Sequence, residues 1–220
     1  MEIELGTTKV ELLPGRAAFL RTSASLVVSD LHLGKSATFR KRGLAVPEGS
    51  SASDLSRLTQ LLKKTEAKQL IIAGDLVHSA DGLSTTVIDA LRTFLKEIEL
   101  PVTLTEGNHD SRSWLSKHHL DFKTTPSLEI GDLLITHDPA DLLPDQAGIA
   151  GHLHPGIRVK ESRRQSLRIG GFYLRDSNHL VLPAFSEFTG THPVSISETD
   201  RFFAELSGKI SEIPASLTRR

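Results

Sequence analysis

The chain contains no cysteine, and this absence narrows its chemistry at once. Disulfides, cysteine-ligated zinc, iron–sulfur clusters and thiol nucleophiles are all excluded. Any metal ion must therefore be held by His, Asp, Asn or Glu. Tryptophan and tyrosine are scarce, with one of each, whereas histidine occurs ten times. Packing alone does not need so many imidazoles, so the positions of the histidines become the first question.

Neither sign of charge dominates, and long apolar runs are missing. The 26 Lys and Arg residues against 27 Asp and Glu residues give a formal net charge of -1 over 220 residues. Such a chain has no global basic field, so any site for a polyanion must be local. No apolar run approaches the roughly 18 residues of a membrane span, and the first residues lack the features of a signal peptide. We therefore expect a cytoplasmic protein in which residues 1–220 form one domain.

Apolar runs and amphipathic stretches alternate in the first half of the chain. The sequence predicts buried strands at Leu26–Ser29, Leu70–Ala73 and Val102–Thr105. Leucines at helical spacing predict a helix from Ser51 to Lys64, opened by a capping box of Ser51 and Asp54, and Ser84 is expected to cap a second helix. This α/β order predicts right-handed parallel crossovers, with ligands bound beyond the carboxyl ends of the strands.

The second half reads mostly as short strands separated by Gly, Pro and Asp turns. The predicted strands are Leu133–Thr136, Gly156–Glu161, Leu167–Arg175 and His179–Leu182. We expect the two halves to form two packed sheets. The segment from Phe202 to Arg220 has apolar spacing that fits either edge strands or a partner surface.

Five short polar motifs follow the predicted strands in order. They are Asp30-Leu31-His32, Gly74-Asp75, Gly107-Asn108-His109-Asp110, His137, and Gly151-His152-Leu153-His154. Taken singly, each has a structural explanation as a turn, a cap or a satisfied histidine. Taken together they indicate a site, because Asp and His, or two His, at positions i and i+2 lie on the same side of an extended chain.

This ordered set of motifs resembles the calcineurin-like metallophosphoesterases. The resemblance implies a four-layer α/β/β/α sandwich of the metallophosphoesterase type that carries two divalent metal ions. It implies that the first ion is held by Asp30, His32, Asp75 and His154, and the second by Asp75, Asn108, His137 and His152. Asp75 would bridge the two. It favours Mn²⁺, while the mixed ligands also suit Fe²⁺ or Zn²⁺. The implied reaction is phosphoester hydrolysis by a metal-activated hydroxide.

The same resemblance implies a catalytic role for His109. In the family the matching histidine faces the substrate, where it can protonate the leaving alkoxide or stabilise the transition state. Asp110 is expected to orient the His109 imidazole, with a helix cap for Ser111–Leu115 as the alternative. His78 lies three residues beyond Asp75 and could line the site or make a structural contact.

A closer resemblance is to the bacterial DNA-ligase-associated branch of this superfamily. It is carried by residues 29–35, 39–49, 149–155 and 182–185, which read SDLHLGK, FRKRGLAVPEG, IAGHLHP and LPAF. Members of this branch are viewed as manganese-dependent phosphodiesterases or endonucleases of DNA repair, encoded beside an ATP-dependent DNA ligase, a helicase and an exonuclease. DNA is therefore the expected substrate, and those three enzymes are candidate functional partners.

Two groups of cations lie near the motifs. The first comprises Lys35, Arg40, Lys41 and Arg42, of which Lys35, Arg40 and Arg42 are the predicted substrate-binding residues; the second comprises Arg158, Lys160, Arg163, Arg164 and Arg168. They fit phosphate contacts with a polynucleotide, and equally well scattered solvated charges. Two other functions use the same fold: a small-molecule phosphoesterase acting on nucleotides or related esters, and a non-catalytic scaffold, against which the retained His109 argues.

Overall fold

The structure is a computed structural model that describes residues 1–46, 49–110, 114, 118, 120, 122–160 and 166–217. Its first sheet and its helices come from the N-terminal part of the chain. The strands are β1 (Glu2–Leu5), β2 (Thr8–Leu13), β3 (Ala17–Leu20), β4 (Ser25–Val28), β5 (Gln69–Ala73), β6 (Val102–Thr105) and β7 (Lys123–Thr125). The helices are α1 (Lys35–Lys41), α2 (Ser50–Thr65) and α3 (Thr85–Ile98).

The C-terminal part adds further strands and short 3₁₀ turns. The strands are β8 (Leu128–Ile130), β9 (Leu133–Ile135), β10 (Gly148–Ala150), β11 (Pro155–Lys160), β12 (Ser166–Gly170), β13 (Phe172–Arg175), β14 (His179–Val181), β15 (His192–Pro193), β16 (Arg201–Leu206) and β17 (Lys209–Glu212). Two 3₁₀ turns lie here, Pro139–Asp141 and Ala215–Leu217, and a third, Ala80–Gly82, precedes α3 in the N-terminal part. Within the described residues, no helix is both long and apolar enough to cross a bilayer.

The first sheet brings three strand ends to one edge. Its order is β1-β2-β3-β4-β5-β6-β7, and the pairs from β4 to β7 are parallel. Val28 pairs with Ile72, and Ile72 pairs with Leu104, so the carboxyl ends of β4, β5 and β6 are level. The predicted alternation of strand and helix is confirmed, with α2 between β4 and β5 and α3 between β5 and β6.

The second sheet has the order β17-β16-β13-β14-β10-β9-β8. Strand β10 pairs in parallel with both β9 and β14, so these three strands also end at one edge. Strand β17 lies at the border of this sheet, which agrees with an edge strand in the C-terminal segment.

Core packing explains why the central strands β4 and β5 of the first sheet are apolar on both faces. In β4, Leu26 and Val28 pack in the cluster that contains the helices, while Val27 packs in the cluster between the two sheets. A strand buried on both sides reads as a continuous apolar run rather than an alternating one. The α/β class is thus confirmed. In the described residues, the outer side of the second sheet is covered by the three-stranded sheet β12-β11-β15.

The predicted strand Leu167–Arg175 is in fact two strands of two different sheets. Strand β12 pairs with β11, whereas β13 pairs with β14 and β16. The chain changes sheet at Gly171, where a Cβ atom would overlap the carbonyl oxygen of Phe203. Glycine is needed there for the close approach of two backbones, which apolar patterning does not reveal.

The start of the two long helices gives one correct prediction and one wrong one. Ser84 caps α3 as predicted, with its side chain accepting a hydrogen bond from the Val87 N–H. The capping box at α2 is wrong, because Gly49 is the N-cap and carries no side chain. Ser51 Oγ accepts instead from Gly34 N at 3.0 Å, and the Asp54 carboxylate pairs with Arg57 at 3.0 Å. Both side chains therefore bind other groups and do not cap the helix.

Candidate metal centre

The predicted site residues come together where the edges of the two sheets meet. Asp30, Asp75 and Asn108 follow β4, β5 and β6 of the first sheet. His137 follows β9 of the second sheet, and the pair His152 and His154 follows β10. Each sheet thus contributes ligand-type side chains from the carboxyl ends of its parallel strands, as open α/β sheets do.

The backbone at these positions is not extended, contrary to the geometric argument made from the sequence. Five of the predicted ligands have φ between 45° and 67°: Asp30, His32, Asp75, His152 and His154. The left-handed region costs a non-glycine residue of the order of 1–3 kcal/mol. Surrounding hydrogen bonds hold the conformation; His32 N–H, for example, donates to Asp75 O at 2.9 Å. Pairs at i and i+2 therefore converge through tight turns, not through a strand.

Two glycines allow this close packing. Gly74 has φ 78°, and a Cβ atom there would overlap the His137 ring. A Cβ atom on Gly107 would overlap the backbone and carboxylate of Asp75. The glycines of the Gly-Asp and Gly-Asn motifs are thus required by space around the ligand-type side chains.

The first donor cluster consists of Asp30, His32 and His154. Their ligand atoms all lie within 4.8 Å of one another. His32 Nε2 is 3.2 Å from His154 Nε2, and His154 Nε2 is 3.3 Å from Asp30 Oδ1. Two imidazole nitrogens and a carboxylate oxygen that face one point form a donor set for a divalent ion.

The second donor cluster consists of Asp75, His137 and His152, again within 4.8 Å. His137 Nε2 is 3.0 Å from His152 Nδ1 and 3.6 Å from Asp75 Oδ1. Asn108 Oδ1 lies 2.9 Å from the same His137 nitrogen. Carboxylate, amide and imidazole donors therefore converge here as well.

Asp75 stands between the two clusters. Its Oδ1 faces His137, while its Oδ2 lies 4.0 Å from His32 Nε2 of the first cluster. The side chain is almost fully buried. One carboxylate with an oxygen toward each cluster fits a ligand shared by two ions.

The electrostatics of the clusters also fit metal ions. Burial lowers the pKa of His32 to about 3, so its imidazole is neutral at pH 7 and keeps a lone pair. Burial raises the pKa of Asp75, against the opposing effect of His137. For Asp30, burial would raise the pKa, but the hydrogen bond with His154 and the nearby histidines outweigh it and lower the pKa. Buried acidic and neutral imidazole groups at this density are the donor set that divalent cations require.

His109 lies at the mouth of this site. Its backbone N–H donates to Asp75 Oδ1 at 3.1 Å, and its Nε2 lies 4.0 Å from Asp75 Oδ2. The side chain is 40% exposed, so it can reach a bound molecule. The ring stacks on His78, with centroids 5.5 Å apart and an angle of 26°.

His78, which the sequence left open, is therefore part of the site wall. Its ring also lies edge-on to His32 at 5.5 Å and to Phe39 at 6.0 Å. Among the described atoms, its buried Nδ1 has no hydrogen-bond partner. Burial and nearby cations lower its pKa to about 4, so it is a neutral ring behind His109.

Asp110 has different contacts from those expected. Its carboxylate accepts hydrogen bonds from the backbone N–H groups of Gly107 at 3.1 Å, Val77 at 3.3 Å and Leu76 at 3.4 Å. Burial raises its pKa to about 6, against these hydrogen bonds. The described contacts join it to the loops after β5 and β6, not to the His109 ring. The alternative helix cap involves Ser111–Leu115, most of which lies outside the described residues.

The predicted substrate-binding residues lie on and after α1. Lys35 opens this helix and donates to Thr189 Oγ1 at 3.0 Å, and burial lowers its pKa. Arg40 donates to Val46 O at 3.5 Å. Arg42 follows the helix, is exposed, and acts electrostatically on His78. In the second basic group, Arg158 and Arg168 lie on β11 and β12, whereas Arg163 and Arg164 lie outside the described residues.

Two residues near the site carry no sequence signal of their role. Asp138 Oδ2 lies 3.9 Å from His152 Nε2, the ring nitrogen that does not face His137. Its Oδ1 accepts from Ala140 N at 2.9 Å and so opens the 3₁₀ turn after β9. Thr189, in a loop 154 residues further along the chain than Lys35, accepts a hydrogen bond from the Lys35 ammonium. The turn cap of Asp138 is local in sequence, but its approach to His152 and the bond between Lys35 and Thr189 depend on tertiary structure, so no local motif marks these two contacts.

Comparison with known proteins identifies the family. The family model of the calcineurin-like phosphoesterases matches residues 25–172. The chain therefore belongs to the calcineurin-like phosphoesterase family, and the resemblance in its motifs is confirmed. It is a metal-dependent phosphoesterase. A search of curated proteins found no match to it.

Solved structures give a more specific likeness. The crystal structure of the Pseudomonas putida nuclease MPE superposes with a TM-score of 0.81 at 27% sequence identity, covering 97% of this chain and 99% of that one. This likeness is consistent with the narrower resemblance of the motifs. The E. coli phosphoesterase Yfce aligns with a TM-score of 0.45 at 15% identity, covering 89% of this chain and 99% of that one.

Proposed function

We propose that this protein is a two-metal phosphodiesterase that cleaves DNA, with Mn²⁺ as its working ion. The observation that carries the proposal is the Asp75 carboxylate between two donor clusters, in a chain of the calcineurin-like phosphoesterase family. The likeness to a nuclease over almost the whole chain supports a nucleic acid as substrate.

Two divalent ions would be held by these side chains, with Asp75 belonging to both sets of ligands. The first is assigned to Asp30, His32, Asp75 and His154, and the second to Asp75, Asn108, His137 and His152. Bound ions of this kind lower the pKa of a water molecule and neutralise charge on the phosphoryl oxygens. The protein's part is to hold imidazole, amide and carboxylate donors at the positions described above.

His109 acts as the general acid in this proposal. Water would lose one proton to solvent as its oxygen bonds to phosphorus, and the bond from phosphorus to the leaving oxygen would break. That oxygen would take a proton from the His109 ring, which would regain one from solvent. The hydrogen bond from its backbone to Asp75 and the stacked His78 ring hold the imidazole toward the metal clusters. Asp110 acts indirectly, because its carboxylate ties the His109 loop to the loop of Asp75.

DNA is the proposed substrate, with Lys35, Arg40 and Arg42 as phosphate contacts. These cations lie on one helix and its end, and two of them, Lys35 and Arg42, act electrostatically on His78 of the site wall. The resemblance of the motifs to the DNA-ligase-associated branch supports a role in DNA repair alongside an ATP-dependent DNA ligase, a helicase and an exonuclease.

The test uses metal-stripped protein with added Mn²⁺ and three substrates: a chromogenic phosphodiester, a phosphomonoester and circular single-stranded DNA. We expect hydrolysis of the diester and of the closed circle. In the His109→Ala variant, kcat should fall by roughly 10²- to 10⁴-fold while metal binding is kept. Activity confined to small esters would replace the nuclease with a small-molecule phosphoesterase. Inactivity with two ions bound would indicate a scaffold.

A further inference from the structure

A groove extends sideways from the first donor cluster. It has a volume of about 570 Å³, and its lining includes His154 at one end, Arg16, Arg168, Leu167, Ile169 and Leu206. We call it the lateral groove. Thr189 also lines it, and Thr189 is the residue that receives the Lys35 ammonium. The groove is thus continuous with the first donor cluster through His154 and with Lys35 through Thr189.

The size of the lateral groove suits one monomer of a polymer. Ligand pockets of roughly 300–1,000 Å³ hold molecules of drug size, and a nucleotide falls in this range. A phosphate between the two donor clusters would lie next to His154, so the neighbouring unit of the same strand would enter the groove.

Apolar side chains in the lateral groove are exposed to solvent. Leu167 is 59% exposed and Leu206 is 43% exposed, and they line one cavity together with Ile169. Concave sites that combine apolar contact with a few charged groups are typical of binding sites. The flat face of a nucleobase would cover such side chains without demanding a particular base sequence.

Arg168, which lines the lateral groove, has a second arginine, Arg158, as its neighbour on the adjacent strand. Arg158 of β11 is in register with Arg168 of β12, so both side chains leave the same face of the sheet. Like charges directly opposite each other destabilise a sheet. Arg168 donates to Thr191 O at 3.4 Å, but a carbonyl does not cancel the charge of two guanidinium groups. A phosphate between them would.

The two other charged residues named here, Arg16 and Glu205, are each hydrogen-bonded to backbone groups of the protein. Arg16 donates to the carbonyl oxygens of Ala184 at 3.2 Å and Ser186 at 2.8 Å. Glu205 accepts from Gly15 N at 2.8 Å. A second phosphate is therefore expected at the Arg158–Arg168 end, away from the Glu205 carboxylate.

We propose that the lateral groove binds the nucleotide next to the scissile phosphate of a single DNA strand, with its base against Leu167 and Leu206 and the following phosphate between Arg158 and Arg168. This inference rests on the proposed function. On this proposal the lateral groove causes the preference for a polynucleotide over a small ester. Contacts between the groove and the neighbouring nucleotide supply binding energy that promotes cleavage, and a small ester cannot make these contacts.

The first test compares Arg158→Ala, Arg168→Ala and the double variant with the wild type. A single-stranded oligodeoxynucleotide and bis(4-nitrophenyl) phosphate serve as substrates. Each single variant should lower kcat/KM on the oligonucleotide by roughly tenfold. Each should also reduce the steepness of the plot of log(kcat/KM) on the oligonucleotide against log salt concentration by about 0.7. Rates on the small diester should change less than twofold. Arg168→Lys should restore part of the loss.

The matched control is Arg21→Ala. Arg21 is an exposed arginine paired with Glu11, and it precedes β4, so it lies at the end of the first sheet opposite the metal centre. This variant removes the same charge and should leave the rates of cleavage of both substrates unchanged. If it lowered oligonucleotide cleavage as much as Arg168→Ala does, overall charge rather than the lateral groove would be responsible.

The second test examines the apolar wall with Leu167→Ser and Leu206→Ser combined. The wild type should cleave a base-bearing oligonucleotide several-fold faster than an abasic one of the same length. The double serine variant should cleave the two at similar rates. Melting temperatures would establish that these exposed changes leave the fold intact.

The lateral groove assignment is overturned if the arginine variants slow both substrates equally, or slow neither. It is also overturned if the wild type does not distinguish base-bearing from abasic strands. Failure of the proposed function would look different, since the wild type would then cleave no oligonucleotide, whether or not it hydrolyses bis(4-nitrophenyl) phosphate with Mn²⁺.

Discussion

At the scale of single residues, the site depends on left-handed backbone conformations that the sequence motifs do not predict. The motifs predict which side chains gather, because Asp, Asn and His recur after the strands in a fixed order. They do not reveal that Asp30, His32 and Asp75 have φ near 50°. Such residues persist only where surrounding contacts over-determine them, and those contacts come from segments far apart in the chain.

Gly74→Ala tests how tightly the second cluster is packed. The added Cβ atom would overlap the His137 ring, at a backbone φ of 78° that alanine adopts only with strain. We expect the variant to lose the ion that His137 helps to hold, which titration with Mn²⁺ would detect as one equivalent instead of two.

Gly43→Ala is the matched control for this strain. Gly43 has φ 82°, but a Cβ atom there would meet nothing within 4 Å. It should lower the free energy of unfolding by about 1–2 kcal/mol and keep both ions. Two tightly bound equivalents in Gly74→Ala would show that the close packing of Gly74 against His137 is not needed.

At the scale of elements, the sequence predicts the parallel core well and the outer sheet less well. Runs such as Leu70–Ala73 are buried on both faces, so their apolar character alone identifies them as strands. The segment from Leu167 to Arg175 fails because its division at Gly171 follows from a contact with Phe203, 32 residues away in the chain.

Two turns that belong to different sheets are joined by Asp132. Its carboxylate, between β8 and β9, accepts from Thr7 N and Thr7 Oγ1 at 2.6 Å and from Thr8 Oγ1 at 2.5 Å, near the turn between β1 and β2. These hydrogen bonds lower the pKa of Asp132 to about 2. The ionised form therefore stabilises the folded state above the unfolded pKa of about 3.9, and this contribution is lost as the pH falls toward 2.

Asp132→Asn should remove this pH dependence. The free energy of unfolding of the wild type should exceed that of the variant by a constant amount from pH 7 to 5, and the difference should shrink below pH 4. Urea denaturation at several pH values measures it, with Glu129→Gln on β8 as a neighbouring carboxylate control. A difference that does not vary with pH would contradict the role of the ionised carboxylate.

At the scale of the whole molecule, a net charge of -1 means that attraction for DNA must come from local groups. Lys35 opens α1 close to His32, and Arg42 ends it close to His78, a placement that the sequence suggests only through their closeness to Asp30 and His32. The lateral groove could not be predicted, since strands from distant parts of the chain enclose it.

Arg40→Gln combined with Arg42→Gln should weaken cleavage of single-stranded DNA and flatten its salt dependence, because fewer phosphates are neutralised. Hydrolysis of a chromogenic diester should be unaffected. Lys63→Gln with Lys64→Gln, in the last turn of α2, removes the same charge far from the site and serves as control. Equal loss on both substrates would show that the two arginines do not act through DNA contacts.

The most direct test of the two-metal account is the rate of diester hydrolysis as Mn²⁺ is added stepwise to metal-stripped protein, at protein concentrations well above the dissociation constants. The account predicts that the rate rises until two equivalents per chain are bound and then stays constant. A plateau at one equivalent, or no hydrolysis at any ratio, would contradict it.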